Sequence, residues 1–134
     1  FDAIYTYEIS NQSLVGVHPI SSKSTTDSLS YYHHANDICV LGSSLYISMF
    51  SVSGSNNLGW YDGGVLEYDL KSESVINSLA NNLWMPHSVQ QIPSSKSLML
   101  LDSMTGRLLL STKRIQTQFN DLLEALIMQV LSTI

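Results

Sequence analysis

Short apolar runs alternate with polar turns along most of the chain, and this pattern predicts antiparallel β-strands joined by turns. Residues 83–110 show it most clearly. A Pro-His-Ser step, a polar turn, an apolar run and a second polar turn follow one another there before a last apolar run. Residues 4–9 alternate between more and less apolar side chains, as a half-buried strand does. The expected fold class is therefore all-β.

The same order of strands and turns recurs within the chain, which indicates an internal repeat. The segment that begins at His34 resembles the segment that begins at His87, and residues 64–68 resemble residues 106–110. The first of these copies is longer, and its extra residues fall in the polar loop 51–62. On this alignment His34 and His87 are expected to occupy equivalent positions.

A third, partial copy opens the chain, because residues 7–14 resemble residues 68–75. A repeat of four short strands is typical of a β-propeller blade, a twisted sheet that stacks on its neighbours. We predict a partial propeller of about two to two and a half four-stranded antiparallel blades, fewer than the roughly four to eight that close a ring. A piece of a longer protein is the favoured explanation, and closure by self-association is the alternative. The predicted blade region, 1–114, divides into an outer half-blade at 1–20, a full blade at 31–82 and most of a blade at 83–114.

Residues 115–134 break the strand pattern. Their apolar side chains recur at helical spacing from Phe119 to Ile134, which predicts a C-terminal amphipathic α-helix. Its favoured role is to cover the apolar edge of the last sheet, which would otherwise be exposed. A dimer face and an unrelated tail are the alternatives, so the oligomeric state stays open.

Charge and composition exclude several partners. The net charge is −5 with only six Lys and Arg residues, whereas a nucleic-acid surface needs clustered basic side chains. The single cysteine, Cys39, rules out an internal disulfide. No uncharged apolar run is long enough to span a bilayer, and the N-terminus lacks the features of a secretory signal. We expect a cytoplasmic protein without a membrane or nucleic-acid partner, unless a signal precedes Phe1.

Two histidines mark the place where chemistry is most expected. The first strand of each propeller blade lines the central channel, so His34 and His87 are predicted to face one funnel mouth, with Asn36 and Asp37 within reach. Imidazole and carboxylate groups bind divalent metal ions and perform acid–base catalysis. The candidate metal ligands are His34, Asp37 and His87. The favoured alternative is structural, a hydrogen bond that ties a blade strand to a neighbouring loop.

The polar loop 51–62 is a second candidate region, because it carries two aromatic side chains among Gly, Asn and Ser residues. The candidate ligand-binding residues are Asn36, Trp60 and Tyr61. The alternative for Trp60 is that it covers a blade edge. Asp102 is predicted to hydrogen-bond nearby backbone amides within its turn. A catalytic triad of Ser88, His87 and Asp102 is not expected, because adjacent strand residues face opposite ways.

One combination of motifs resembles the uncharacterised family called domain of unknown function 4915. It consists of Met85-Pro86-His87-Ser88, Leu101-Asp102-Ser103 with Thr105-Gly106, His34-Ala35-Asn36-Asp37 and Gly63-Gly64-Val65-Leu66. The resemblance covers about residues 31–110 and implies a propeller fold without an assigned reaction. The helical tail departs from what the family leads us to expect.

Two functional hypotheses follow. The first is a binding module, in which the inner funnel or the aromatic loop holds a small molecule or a protein partner. The second is a metal-dependent hydrolase similar to the sugar-lactonase propellers, with a divalent metal ion as cofactor and His34, Asn36, Asp37 and His87 around it.

Overall fold

The computed structural model describes residues 2–24 and 31–112. These residues form three antiparallel β-sheets and one short 3₁₀ helix, Asn56–Leu58, and contain no α-helix. The predicted all-β class is confirmed for this part of the chain. The helix predicted for residues 115–134 lies outside the described residues.

Each strand pairs with its neighbour in chain order. Sheet 1 contains β1 and β2, sheet 2 contains β3 to β6, and sheet 3 contains β7 to β9. The strands are β1 (Ala3–Glu8), β2 (Ser13–Pro19), β3 (Ala35–Leu41), β4 (Ser44–Met49), β5 (Gly63–Asp69), β6 (Ser74–Leu83), β7 (Pro86–Gln91), β8 (Ser97–Asp102) and β9 (Arg107–Thr112).

Sheet 2 lies between the other two sheets, and its strand β4 is buried on both faces. Ile47 and its same-face neighbours pack against Ile4 and Ile20 of sheet 1 and the segment that follows it. Tyr46 faces the other way and packs with Leu98 and Leu100 of sheet 3. The period of two along a strand explains why one short sequence contributes to two separate cores.

The two histidines do not occupy the same position in their strands, so their predicted equivalence is wrong. His34 lies just before β3, whereas His87 is the second residue of β7. The residue just before β7 is Met85, which shares the left-handed backbone of His34, with φ of 55° against 51°. Its carbonyl accepts a hydrogen bond from the Ser103 N–H, as the His34 carbonyl accepts one from the Phe50 N–H.

Hairpin length explains this difference. Gly42 and Ser43 join β3 to β4, and Gly42 has the positive φ of 64° that a two-residue hairpin of this kind requires at its first position. The longer segment 92–96 joins β7 to β8. An alignment by residue type that is carried through both hairpins without a gap therefore pairs His87 with the wrong residue.

Buried carboxylates satisfy the backbone where the chain passes between sheets. Asp2 accepts a hydrogen bond from the His33 N–H at 2.7 Å ahead of β3. Asp102 accepts one from the Trp84 N–H at 2.6 Å ahead of β7. Both carboxylate residues are buried, and each removes the penalty of an unpaired donor at a sheet junction. Within the described ranges, no helix is long and apolar enough to cross a membrane.

Candidate functional site

Three rings that carry polar atoms contact the ring of Phe50. Phe50 directly follows β4 and is 5% exposed. The imidazole of His34 stacks on this ring, with centroids 4.2 Å apart and planes 3° from parallel. The imidazole of His87 meets it edge-on at 5.0 Å. Tyr61 meets it edge-on at 6.3 Å. We call these four residues the Phe50 cluster.

The cluster joins three separate stretches of sequence. His34 stands before β3, His87 stands at the start of β7, and Tyr61 comes from the loop between β4 and β5. The two predicted histidines therefore do lie close together, because both contact the same aromatic ring. Sequence reasoning missed Phe50 itself, because an aromatic residue at the end of an apolar run is typical of ordinary core packing.

Asp37 links β3 and β7 next to the cluster. Its Oδ2 accepts a hydrogen bond from the Ser88 N–H at 2.9 Å and lies 3.4 Å from Nδ1 of His87. A carboxylate at Nδ1 favours the tautomer in which that nitrogen carries the proton, and Nε2 is then the acceptor of the ring. Both side chains are partly exposed, so the pair is accessible to solvent.

Burial lowers the pKa of His34 below the ordinary value of 6.5. Beyond burial, the Asp2 carboxylate opposes this lowering of the pKa, and His87 adds to it. An imidazole with a lowered pKa is neutral near pH 7. His34 therefore contributes a flat, uncharged face to the cluster rather than a cation.

Both polar atoms of the Asn36 side chain form hydrogen bonds within the protein. Its Oδ1 accepts a hydrogen bond from the Ser48 hydroxyl at 2.6 Å, and its Nδ2 donates one to the Pro86 carbonyl at 2.9 Å. The amide thus ties β3 to β4 and to β7. These hydrogen bonds hold neighbouring strands together, which is the structural role given above as the alternative to a binding site. The ligand role of Asn36 stays a prediction.

The loop that carries the two predicted aromatics is held by its own hydrogen bonds. The Ser51 hydroxyl donates to the Asp62 carboxylate, which also accepts the Ser53 N–H at 3.0 Å. Burial acts to raise the pKa of Asp62, but the hydrogen bonds from these two serines hold it below its usual value. Trp60 is well exposed, whereas Tyr61 contacts the ring of Phe50.

The metal-ligand role of His34, Asp37 and His87 stays a prediction. His34 is stacked flat on Phe50, and the Oδ2 of Asp37 is shared between the Ser88 N–H and His87. No group of three or more His, Cys, Asp or Glu side chains placed to hold a metal ion occurs in residues 2–24 and 31–112. The geometry provides a histidine–carboxylate pair beside an aromatic ring.

Comparison with protein-family models, with curated proteins and with solved structures finds no match to this chain. The resemblance to the domain of unknown function 4915 family therefore stays a prediction.

Proposed function

We propose that residues 2–24 and 31–112 form part of a β-propeller and that the Phe50 cluster is its binding site for a small molecule or a protein segment. Strand pairing supports the repeat on which the propeller depends. Tyr7 pairs with Leu14 as Tyr68 pairs with Val75, and a register shift precedes both pairs in the same place. Sheet 1 thus corresponds to the outer half of sheet 2.

The inner strands support the same proposal. Ala35 begins β3 and pairs with Met49, and Pro86 begins β7 and pairs with Asp102. β3 and β7, the first strands of sheets 2 and 3, contact each other. Successive blades of a propeller meet in this way around their axis.

An exposed apolar surface on β3 is consistent with the proposal that sheet 1 is only half of a blade. Ile38 and Val40 of β3 are 64% and 58% exposed. They pair with Ile47 and Leu45, which belong to the core shared with sheet 1. Their side chains therefore lie where the two inner strands of a complete first blade would pack, and large apolar side chains exposed side by side indicate a contact surface.

One observation carries the binding proposal: Phe50 is buried, yet His87 and Tyr61 around it are partly exposed and come from different segments. Sites of this kind combine an apolar floor with a few converging polar groups. The Phe50 ring and the neutral His34 provide the flat floor, and Nε2 of His87 and the Asp37 carboxylate provide hydrogen-bond acceptors. The expected ligand has a flat apolar face and a hydrogen-bonding edge. The net charge of −5 supports a partner other than nucleic acid.

Replacing Tyr61 with Ala should weaken ligand binding at least about tenfold, which corresponds to about 1.4 kcal/mol. The probes are planar heterocycles and monosaccharides, screened against the chain by saturation-transfer NMR, and the dissociation constant is then measured for the strongest binder. Tyr7→Ala is the matched control, because Tyr7 is an exposed tyrosine of β1 that has no contact with the cluster. Trp60→Ala measures the contribution of the neighbouring aromatic.

Unchanged affinity in the Tyr61→Ala variant would clear the cluster of a binding role. A screen without a binder would contradict the small-molecule form of the proposal.

The metal-dependent hydrolase hypothesis is tested by thermal unfolding. Ca²⁺, Zn²⁺ and Mn²⁺ are added in separate samples, because a metal that binds the folded state raises the melting temperature. A melting temperature that none of them changes removes the metal-dependent hydrolase hypothesis.

A further inference from the structure

Another histidine, His33, lies outside the Phe50 cluster and is 2% exposed. Its Nδ1 is 2.9 Å from the Ser51 carbonyl oxygen, and its Nε2 is 2.6 Å from the Ser21 hydroxyl oxygen. A carbonyl oxygen only accepts hydrogen bonds, so Nδ1 carries the proton. Nε2 is then an acceptor, and the Ser21 hydroxyl donates its proton toward it.

Further hydrogen bonds fix the positions of both His33 and Ser21. The His33 N–H donates to the buried carboxylate of Asp2 at 2.7 Å, which fixes the backbone that carries the imidazole. Ser21 sits in a turn in which the Ser24 N–H donates to its carbonyl at 3.0 Å. The Lys23 N–H donates to the Ser21 hydroxyl oxygen at 3.1 Å. A serine and a base held at this distance, with the base oriented by a third group, have the geometry of an activated nucleophile.

An open cavity of about 430 Å³ adjoins this pair. It is lined by Ser22, Lys23, Tyr32, Gly54, Asn57 and Leu58. Gly54 connects the cavity with the imidazole: a Cβ built at Gly54 would stand 3.3 Å from Nε2 of His33 and 2.9 Å from the Lys23 side chain. Glycine at this position therefore keeps the space between the cavity and the Nε2 edge of the buried His33 free of a side chain. The volume of the cavity suits a small organic molecule.

The residue that follows the serine supplies the last element of such a site. In serine hydrolases the backbone N–H of the residue after the nucleophile stabilises the oxyanion. Ser22 occupies that position and lines the cavity. Within the part of the chain that the structure describes, its N–H donates no hydrogen bond.

We propose that Ser21 is a nucleophile for acyl transfer, with His33 as its general base, and that the substrate is a small carboxylic ester held in the cavity. The Ser21 oxygen forms a bond to the acyl carbon while its proton moves to Nε2 of His33. The ester oxygen leaves with the electron pair of the broken C–O bond and takes that proton as an alcohol. Water then repeats the sequence on the acyl-serine, which releases the carboxylic acid and restores the hydroxyl.

A fluorophosphonate probe tests this proposal on the full chain. The serine oxygen displaces fluoride from phosphorus, so labelling is permanent and its position can be read by peptide mass spectrometry. We expect the total labelling of the unchanged chain to be at least about tenfold above that of the Ser21→Ala variant, with the label on the peptide that carries Ser21, because a positioned base contributes about 10²–10⁴-fold. p-Nitrophenyl acetate should give a burst of one p-nitrophenolate per chain.

Ser95→Ala is the matched control, because the Ser95 hydroxyl also accepts the N–H two residues later, at 3.0 Å, but contacts no imidazole. This variant should label as the unchanged chain does. Absence of labelling, or equal labelling in Ser21→Ala, would overturn the proposal and show that the Ser21–His33 bond only ties the segment after β2 to sheet 2. Because the ester test does not involve the Phe50 cluster, its failure would leave the binding proposal intact.

Discussion

Leu100→Ala should lower the free energy of unfolding by about 2–5 kcal/mol, because it removes a large side chain from a closed core and leaves a cavity. Leu100 is 2% exposed and packs with Tyr46 and Val89 between sheets 2 and 3. The measurement is urea-induced unfolding of the unchanged chain and the variant, compared at equal slope.

The neighbouring residue offers a matched control. Leu101 has the same side chain in the same strand but points away from sheet 2 and is 43% exposed. Leu101→Ala should cost no more than about 1 kcal/mol, as expected for a partly exposed position. A larger loss for Leu101 than for Leu100 would mean that sheet 3 presents its other face to sheet 2 and that the packing described above is wrong.

Asp102→Ala should destabilise the chain by about 2–3 kcal/mol. The buried carboxylate accepts the Trp84 N–H at 2.6 Å with one oxygen and the Arg107 guanidinium at 2.6 Å with the other. Most of the loss is expected from the Trp84 N–H, since a hydrogen bond to a charged acceptor contributes about 1.5–3 kcal/mol. The Arg107 side chain is 39% exposed, so solvent screens its share. Unfolding in urea measures the change.

Two further variants separate these contributions. Asp102→Asn keeps an acceptor for the Trp84 N–H and should lose about half as much as Asp102→Ala. Arg107→Ala removes only the screened partner and should stay within about 1 kcal/mol of the unchanged chain. An Arg107→Ala loss equal to that of Asp102→Ala would show that the ion pair, rather than the junction between sheets 2 and 3, is what Asp102 stabilises.

Asp102 also shows where sequence reasoning reached its limit. The turn after β8 was predicted, and the turn residues 103–106 follow that strand. The hydrogen bonds inside the turn, however, run from Thr105 to the backbone carbonyl of Asp102. The carboxylate is directed instead to Trp84, which lies at the start of the same sheet. A contact across a sheet leaves no local pattern, so spacing along the chain does not reveal it.

The strands themselves were accessible from sequence for a clear physical reason. The apolar run in β4 follows directly from the burial of both of its faces. A strand also forms at β1, as predicted, but exposure there increases from the first three residues to the last three and does not alternate along the strand. The relation between His34 and His87 was predicted correctly in one respect and wrongly in another. Their closeness depends on the order of the strands, whereas their equivalence depended on an ungapped alignment across hairpins of different length.

The site depended on contacts that sequence does not encode locally. Phe50 reads as a core residue, and only the packing of β7 on β3 brings His87 to its edge. Ser21 and His33 are separated by a segment that carries no motif, so their hydrogen bond was not anticipated. Tyr61 was predicted to contact a ligand because an aromatic residue in a long polar loop is unusual, and this property is visible in the sequence. Its ligand role stays a prediction.

The meeting of His34 and His87 at Phe50 is tested most directly by a nuclear Overhauser experiment on the ring protons of Phe50. The imidazole signals are assigned with the variants His34→Gln and His87→Gln. Ring centroids 4.2 and 5.0 Å apart place protons of both imidazoles within range of the Phe50 ring. The stacked-sheet arrangement predicts cross-peaks from Phe50 to both histidines in the folded chain. Cross-peaks to only one of them would contradict it, because the segment before β3 and the start of β7 would then not meet.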